Sequence, residues 1–360
     1  MTGLLRRTVL GAAMVALTVL VVVTVPLWLV VAAAVSPLVP GRLRPLRLGC
    51  MLLLHLVLET AMIIVMLVLW VASGFGWAIR RPWFERAHYA LMRCYLVVMF
   101  RAARPVLRLQ VTVEGDPPRP TEPGGLLVLS RHAGPGDSFI LVYALLHWYG
   151  REPRVVLKDT MALDPAIGLI LHRLPARFIS PNPGSASASA AIEAQISELA
   201  TGLDDDDAFV IFPEGGNFTE ARRARAIASL DRLGLHAMAR RAERMTNVLA
   251  PRPGGVLAAL DAAPVADVAL VGHTGLDHMV TVTDIWRELP MDKEIVMRWW
   301  RVPRAEVPRS RDERIDWLFT RWEQIDAWIE EHQPVDLPGG ALPAGPVLVR
   351  PRSTFGPPDC

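Results

Sequence analysis

Cysteine is scarce in this chain of 360 residues: Cys50, Cys94 and Cys360 are all it has. Cys50 sits in an apolar run and Cys360 stands at the last position, so no spacing suggests a metal knuckle or a disulfide framework. A reducing compartment is compatible with that. Excess charge is missing too. The formal net charge is +2, which gives no overall field to gather a polyanion. The basic groups are almost all arginine, and they cluster. No stacking aromatics are interleaved with those arginines, which argues against nucleic acid as a partner. No internal repeat is found.

Apolar residues, in contrast, are abundant. They make up 52% of the chain, and the mean hydropathy is +0.30, high for a protein dissolved only in water. From Thr8 to Val35 there is no charged residue. As a helix this run reaches about 42 Å, more than the roughly 30 Å of a bilayer's hydrocarbon core. A signal peptide competes, with Arg6 and Arg7 before the run and Ala32–Ala34 near its end, but the run is too long for one. Pro26 is expected to kink the helix. A second apolar run spans Leu48 to Trp77, with Glu59 its only charge. His55 and Glu59 are spaced to share a helix face. They are either a buried ionisable site or a mutually satisfied polar pair that ties two helices together.

The two runs predict a membrane hairpin over residues 1–80. Arg6, Arg7, Arg80, Arg81 and Arg86 flank its open ends, and Arg42, Arg44 and Arg47 lie in its turn. The balance favours both ends, and the rest of the chain, on the cytoplasmic side of the cell membrane. A hairpin dipping into one leaflet fits the same count. Arg86, Arg93, Arg101 and Arg104 then fall on one side of a helix, with apolar residues around them. That helix either lies on an anionic bilayer or packs on the following domain.

From Leu109 on, short apolar or β-branched runs alternate with helical ones. Strands are expected at Gln110–Glu114, Leu126–Ser130, Arg154–Lys158, Arg177–Ser180, Phe209–Phe212, Asp267–His273 and Glu294–Val302. Helices fit at Ser138–Trp148, Pro165–Arg173, Ala188–Thr201, Thr219–Arg244, Gly254–Ala262 and Asp312–Glu331. The fold class that follows is α/β: a membrane hairpin, then a layered α/β domain over 81–333. Pro181–Ser189 reads as a loop and Asp204–Asp207 as a solvated turn. Residues 334–360 read as a disordered tail rich in Pro and Gly.

Two segments carry chemistry. His132 and Asp137 stand in a glycine-containing loop, Arg131-His132-Ala133-Gly134-Pro135-Gly136-Asp137, just after an apolar strand. Acyl transfer to an alcohol needs a base near neutrality and a carboxylate to orient it, and this loop can bring the two together. A loop histidine beside a helix-capping aspartate is the plainer alternative. The second segment is Phe212-Pro213-Glu214-Gly215, where a buried strand gives way to a helix near Thr219. It offers a carboxylate and free amides at the carboxyl end of a strand, where α/β sheets bind ligands.

Together, in this order, His132, Asp137 and the Phe212–Gly215 block resemble the glycerolipid acyltransferase family. Its best-known members are 1-acylglycerol-3-phosphate O-acyltransferases. Val248-Leu249-Ala250-Pro251 is similar to the family's fourth block, Lys158 to a lysine on the strand after the first, and Phe178-Ile179 to the start of the second. Phe212–Arg225, Val248–Gly255 and Trp317–Trp328 look most like the lysophosphatidylinositol and lysocardiolipin acyltransferase branch. The resemblance implies His132 and Asp137 as catalytic residues. It implies Glu214 and Gly215 at the acceptor's glycerol and Lys158 near its phosphate. Where the family carries phosphate-holding arginines, this chain has Pro181 and Asn217; Arg131, where the family has Asn, Arg173 and Arg177 are candidates to replace them.

The implied partners are the lipid bilayer, a lysophospholipid acceptor and an acyl-CoA or acyl-carrier-protein donor. Acyl-CoA is a co-substrate, and no cofactor or metal is implied. Arg222, Arg223, Arg225, Arg232, Arg240, Arg241 and Arg244 either meet the phosphates of coenzyme A or form a solvated basic helix. Two other classes stay open: a metal-dependent hydrolase ligated by His132 and Asp137, and an inactive membrane scaffold.

Overall fold

A computed structural model describes residues 3–39, 43–119, 122–158, 164–179, 185–276, 282–289 and 293–332. In chain order the helices are α1 (Gly3–Val35), α2 (Arg44–Ala72), α3 (Pro82–Ala103), α4 (Pro135–Tyr143), α5 (Pro165–Leu171), α6 (Ala186–Ala200), α7 (Glu220–Arg232), α8 (His236–Arg244), α9 (Pro253–Ala262), α10 (Val282–Glu288) and α11 (Arg311–His332). The strands are β1 (Leu109–Gly115), β2 (Leu126–Ser130), β3 (Glu152–Lys158), β4 (Ala176–Ile179), β5 (Asp207–Ile211), β6 (Asp267–Thr274) and β7 (Lys293–Val302). The chain divides into two compact units. The first holds Met1–Leu109, Leu157–Ser180 and Val282–Asp292; the second holds Gln110–Val156, Pro181–Thr281 and Lys293–Cys360.

In the first unit, α1 and α2 are both long and apolar enough to cross a membrane. Packed against each other, they still leave most of their apolar side chains uncovered. Leu20, Val23, Leu27, Trp28 and Val68 all stay largely exposed, a surface that lipid suits better than water. The two helices are tied by a 2.6 Å hydrogen bond between the Thr18 and Thr60 hydroxyls. Helix α1 runs on through Pro26. Helix α2 ends sooner than its apolar run, at Ala72, where the Ser73 hydroxyl bonds the Trp70 carbonyl and accepts from the Gly76 amide. Helix α5 packs on both α1 and α2. Arg173, just beyond it, donates to the Met66 carbonyl at 2.7 Å and approaches His88 Nε2 at 3.1 Å. The inner side of α2 is therefore lined by polar protein groups, unlike its outer side. On α3, Arg86, Arg93 and Arg101 are exposed while His88, Tyr89, Met92, Tyr95 and Leu96 are buried. This is the arrangement of a helix packed by one face, with its arginines outward.

The strands form a sheet in the order β1-β7-β6-β2-β5-β3-β4. Strand β2 lies between β5 and β6 and is parallel to both, β3 is parallel to β5, and β7 runs antiparallel to β6. Every residue of β2 and of β5 is buried. That matches their sequences, apolar from Leu126 to Leu129 and from Ala208 to Ile211, since a parallel sheet is covered on both faces. Helix α9 packs on β2 and α6, and α11 packs on β6 and α9, burying Phe319, Trp322 and Ile325. Because β2, β5 and β6 are parallel, their carboxyl ends deliver three loops to one edge of the sheet.

All seven expected strands form. The expected helix Thr219–Arg244 is two, α7 and α8, because Gly234 takes φ +73° between them, a conformation that favours glycine. Helix α10 was not expected. The Asp204–Asp207 turn is solvated only in part: Asp207 is buried and paired with Arg154, whose Nε lies 2.8 Å from it. The proposed loop Pro181–Ser189 yields early to α6, capped by Ser185, whose hydroxyl accepts from the Ala188 amide. Residues 181–184 and the proposed tail, 334–360, lie outside the described residues.

Candidate active site

Strand β2 ends at Ser130, and the next two residues turn in opposite directions. Arg131 goes inward and is 1% exposed; the His132 side chain stays at the surface edge, 13% exposed. The loop then closes into α4, and Asp137 in its first turn reaches back. His132 Nδ1 lies 3.0 and 3.1 Å from the two Asp137 oxygens. Asp137 Oδ2 also accepts from the Ala133 amide at 2.7 Å and the Gly134 amide at 3.0 Å, and Oδ1 accepts from the Ser138 hydroxyl at 3.1 Å. The carboxylate is thus held by its own loop before any ligand arrives, and it fixes the proton of His132 on Nδ1. Nε2 is left as the basic nitrogen.

A second imidazole shares this carboxylate. His273, near the end of β6 and 2% exposed, places Nε2 3.4 Å from Asp137 Oδ2. The parallel register explains the meeting: Ser130 pairs with Val271, and the Arg131 amide donates to the Val271 carbonyl at 2.9 Å, so His132 and His273 leave adjacent strands at the same level. Burial works to raise the Asp137 carboxyl, but hydrogen bonds from His132 and His273 and the charge of their rings hold it well below the ordinary carboxylate range. His273 was not singled out from sequence. The signal available was a histidine near the carboxyl end of an otherwise apolar strand.

Glu214 enters from the loop after β5. It does not face outward. It is buried, and its oxygens accept from the His132 amide and the Leu249 amide, each at 3.1 Å. Burial pushes its carboxyl up to about 8, against the pull of the Arg131 charge and those two amides. Gly215 makes the turn at φ +69°, and a Cβ there would press on the Arg252 side chain at 3.2 Å. The Phe212 ring lies 4.6 Å from the His132 ring, centre to centre, and the Phe218 amide donates to the His132 carbonyl at 2.8 Å. The Phe212–Phe218 segment therefore braces His132 from beneath.

Arg131 belongs to the same support. It donates to the His273 carbonyl at 2.6 Å and the Asn247 carbonyl at 2.8 Å. Its guanidinium is therefore bonded within the interior. Glu214 likewise clamps two backbone amides, those of His132 and Leu249. Lys158 and Arg177, the other expected phosphate contacts, are half-buried in the first unit. Of the arginines after the Phe212–Gly215 block, Arg223 donates to the Met245 carbonyl and Arg241 pairs with Asp316 and Glu323. Arg222, Arg225, Arg232, Arg240 and Arg244 stay exposed.

Residues 110–271 match the protein family described as Acyltransferase. Among solved structures, the 1-acyl-sn-glycerophosphate (LPA) acyltransferase PlsC from Thermotoga maritima is similar, at 16% identity and a TM-score of 0.43, over 79% of this chain and 97% of that one. No curated protein matches.

Proposed function

We propose that residues 110–271 form an acyltransferase domain that esterifies the free glycerol hydroxyl of a lysophospholipid, with an acyl thioester as donor. The observation that carries the reading is the His132–Asp137 pair, in which the carboxylate is pre-set by two backbone amides and the ring is left with one free basic nitrogen. His132 Nε2 takes the hydroxyl proton. The oxygen bonds to the thioester carbonyl carbon, the tetrahedral adduct collapses, and the carbon–sulfur bond breaks. The thiolate leaves with the proton from His132. Asp137 keeps the imidazolium stable meanwhile. The Gly134 amide is already given to Asp137 and Pro135 has none, so within this loop the Gly136 amide is the candidate for the oxyanion.

A metal-dependent hydrolase using His132 and Asp137 is disfavoured. Asp137 already accepts from the Ala133 and Gly134 amides, the Ser138 hydroxyl and His132, which leaves little for a cation. The acceptor reaches the enzyme from the bilayer that α1 and α2 enter, with the domain on the cytoplasmic side. Our first choice of acceptor is 1-acylglycerol-3-phosphate, and a lysophospholipid with a larger headgroup is the alternative. With Arg131 committed inward, Lys158 and Arg177 remain the candidates for the headgroup phosphate.

Membranes containing the full chain, given labelled acyl-CoA and a panel of lysolipids, test this. Label should enter a diacyl lipid with one preferred headgroup, and Lys158→Ala or Arg177→Ala should weaken that preference. Free fatty acid as the sole product would overturn the reading.

A further inference from the structure

The His55–Glu59 pair of α2 is not mutually satisfied. His55 Nε2 stands 3.8 Å from Glu59 Oε1, beyond hydrogen-bond length, and His55 Nδ1 turns instead to the Tyr95 hydroxyl at 2.8 Å. Glu59 is 0% exposed, and neither of its carboxylate oxygens accepts from an N–H or hydroxyl donor among the described residues; the group that faces it is another carboxyl, Asp164. A bare carboxylate in an apolar helix bundle is costly. Asp164, which caps α5, comes to the same point. Ligand atoms of His55, Glu59 and Asp164 all lie within 4.8 Å of one another. One Asp164 oxygen accepts from the Ile167 amide at 2.8 Å, which aims the group. Among the described residues this is the one such trio of potential ligands.

We propose that His55, Glu59 and Asp164 form a binding site for one first-row divalent cation, with Zn²⁺ as the favoured ion. Two carboxylates and a divalent charge sum to zero with a neutral imidazole, and a neutral cluster is what an apolar surrounding tolerates. An imidazole with two carboxylates suits zinc or manganese rather than magnesium or calcium, and it leaves a fourth position for water. The Tyr95 hydroxyl accepts from Nδ1 and so leaves Nε2 free to ligate, the usual outer support of a metal-bound histidine. The bound ion would join α2, the start of α5 and, through Tyr95, α3. This site is separate from the His132 chemistry and does not depend on it.

The test uses the full chain in detergent, stripped with a chelator and then titrated with ZnCl2 or MnCl2. Calorimetry and elemental analysis give affinity and stoichiometry. One Zn²⁺ per chain is expected, with Glu59→Gln and Asp164→Asn weakening it at least 100-fold. Tyr95→Phe should weaken it about 10-fold, as the loss of an outer partner does, and His132→Ala should leave it unchanged. Absence of stoichiometric binding overturns the proposal, since the carboxyls would then simply share a proton. So does binding that survives Glu59→Gln. If Glu59→Gln fails to fold, His55→Ala, which removes a partly exposed ring, gives the same decision.

Discussion

Two places in this molecule set a histidine beside a buried carboxylate a few positions away, and they are opposites. In the loop after β2, Asp137 accepts from its own loop's amides and from His132. On α2, Glu59 accepts from no N–H or hydroxyl donor among the described residues. The difference lies in the backbone. A loop that curls into a helix start has spare N–H groups to give, whereas the amides in the middle of a helix are already bonded to carbonyls a turn earlier. A satisfied carboxylate can orient a base. An unsatisfied one must share a proton or bind a cation. Spacing along the sequence does not distinguish the two cases; the supply of donors does.

The largest effects should come from the satisfied pair. His132→Ala should cost acyl transfer on the order of 10²–10⁴-fold, about 3–5 kcal/mol of barrier. Asp137→Ala should be similarly severe, and the double variant no worse, because both residues serve one proton transfer. Near-normal turnover by His132→Ala would break the comparison at its functional end. His273→Ala should cost about 10-fold, the loss of one charge-assisted contact to Asp137. A His273→Gln variant should recover part of that, which a purely steric role would not allow.

Stability should separate the same two carboxylates. In chelator, Asp137→Asn should destabilise by roughly 1–3 kcal/mol, because a buried amide loses its acceptor. Glu59→Gln should be neutral or mildly stabilising, since it replaces a buried carboxyl that no N–H or hydroxyl satisfies with a neutral amide. Thermal unfolding in detergent measures both. Equal losses would mean that Glu59 has partners after all.

A pH slope separates two carboxylates as well. Asp137 is held low, so its contribution is present above its unfolded pKa of 3.8 and is lost as pH falls below that. Glu214 behaves oppositely. Its carboxyl is pushed up to about 8 from 4.5, so the folded chain keeps a proton that the unfolded one releases. Its contribution is full below about pH 4.5 and is lost as pH rises toward 8. The melting temperature of the wild type should therefore fall between pH 5 and 8 more steeply than that of Glu214→Gln. Parallel curves would show that Glu214 is ionised in the fold.

Local patterns made much of this legible. The apolar runs of α1 and α2, the seven strands and the His132–Asp137 loop all depend on residues near one another in sequence, where periodicity and turn chemistry act directly. A glycine inside an otherwise helical stretch was the available sign that α7 and α8 are separate. The inward turn of Arg131 and Glu214 was not legible. A polar residue at the end of a buried strand reads as a ligand contact unless the interior acceptors are known, and here the Asn247 and His273 carbonyls and the Leu249 amide supply them.

What the sequence by itself determined was the set of elements, the apolar hairpin and the base with its carboxylate, because each is specified within a dozen or so neighbouring residues. The tertiary structure alone decided which distant groups complete them. Strand β6 lies beside β2 although the chain between them passes through β3, β4 and β5, and only that adjacency brings His273 to Asp137. Helix α5 packs on α2, and only that contact brings Asp164 to His55 and Glu59. Strand order and helix docking are settled by the burial of whole faces, a sum over many residues that no local pattern contains.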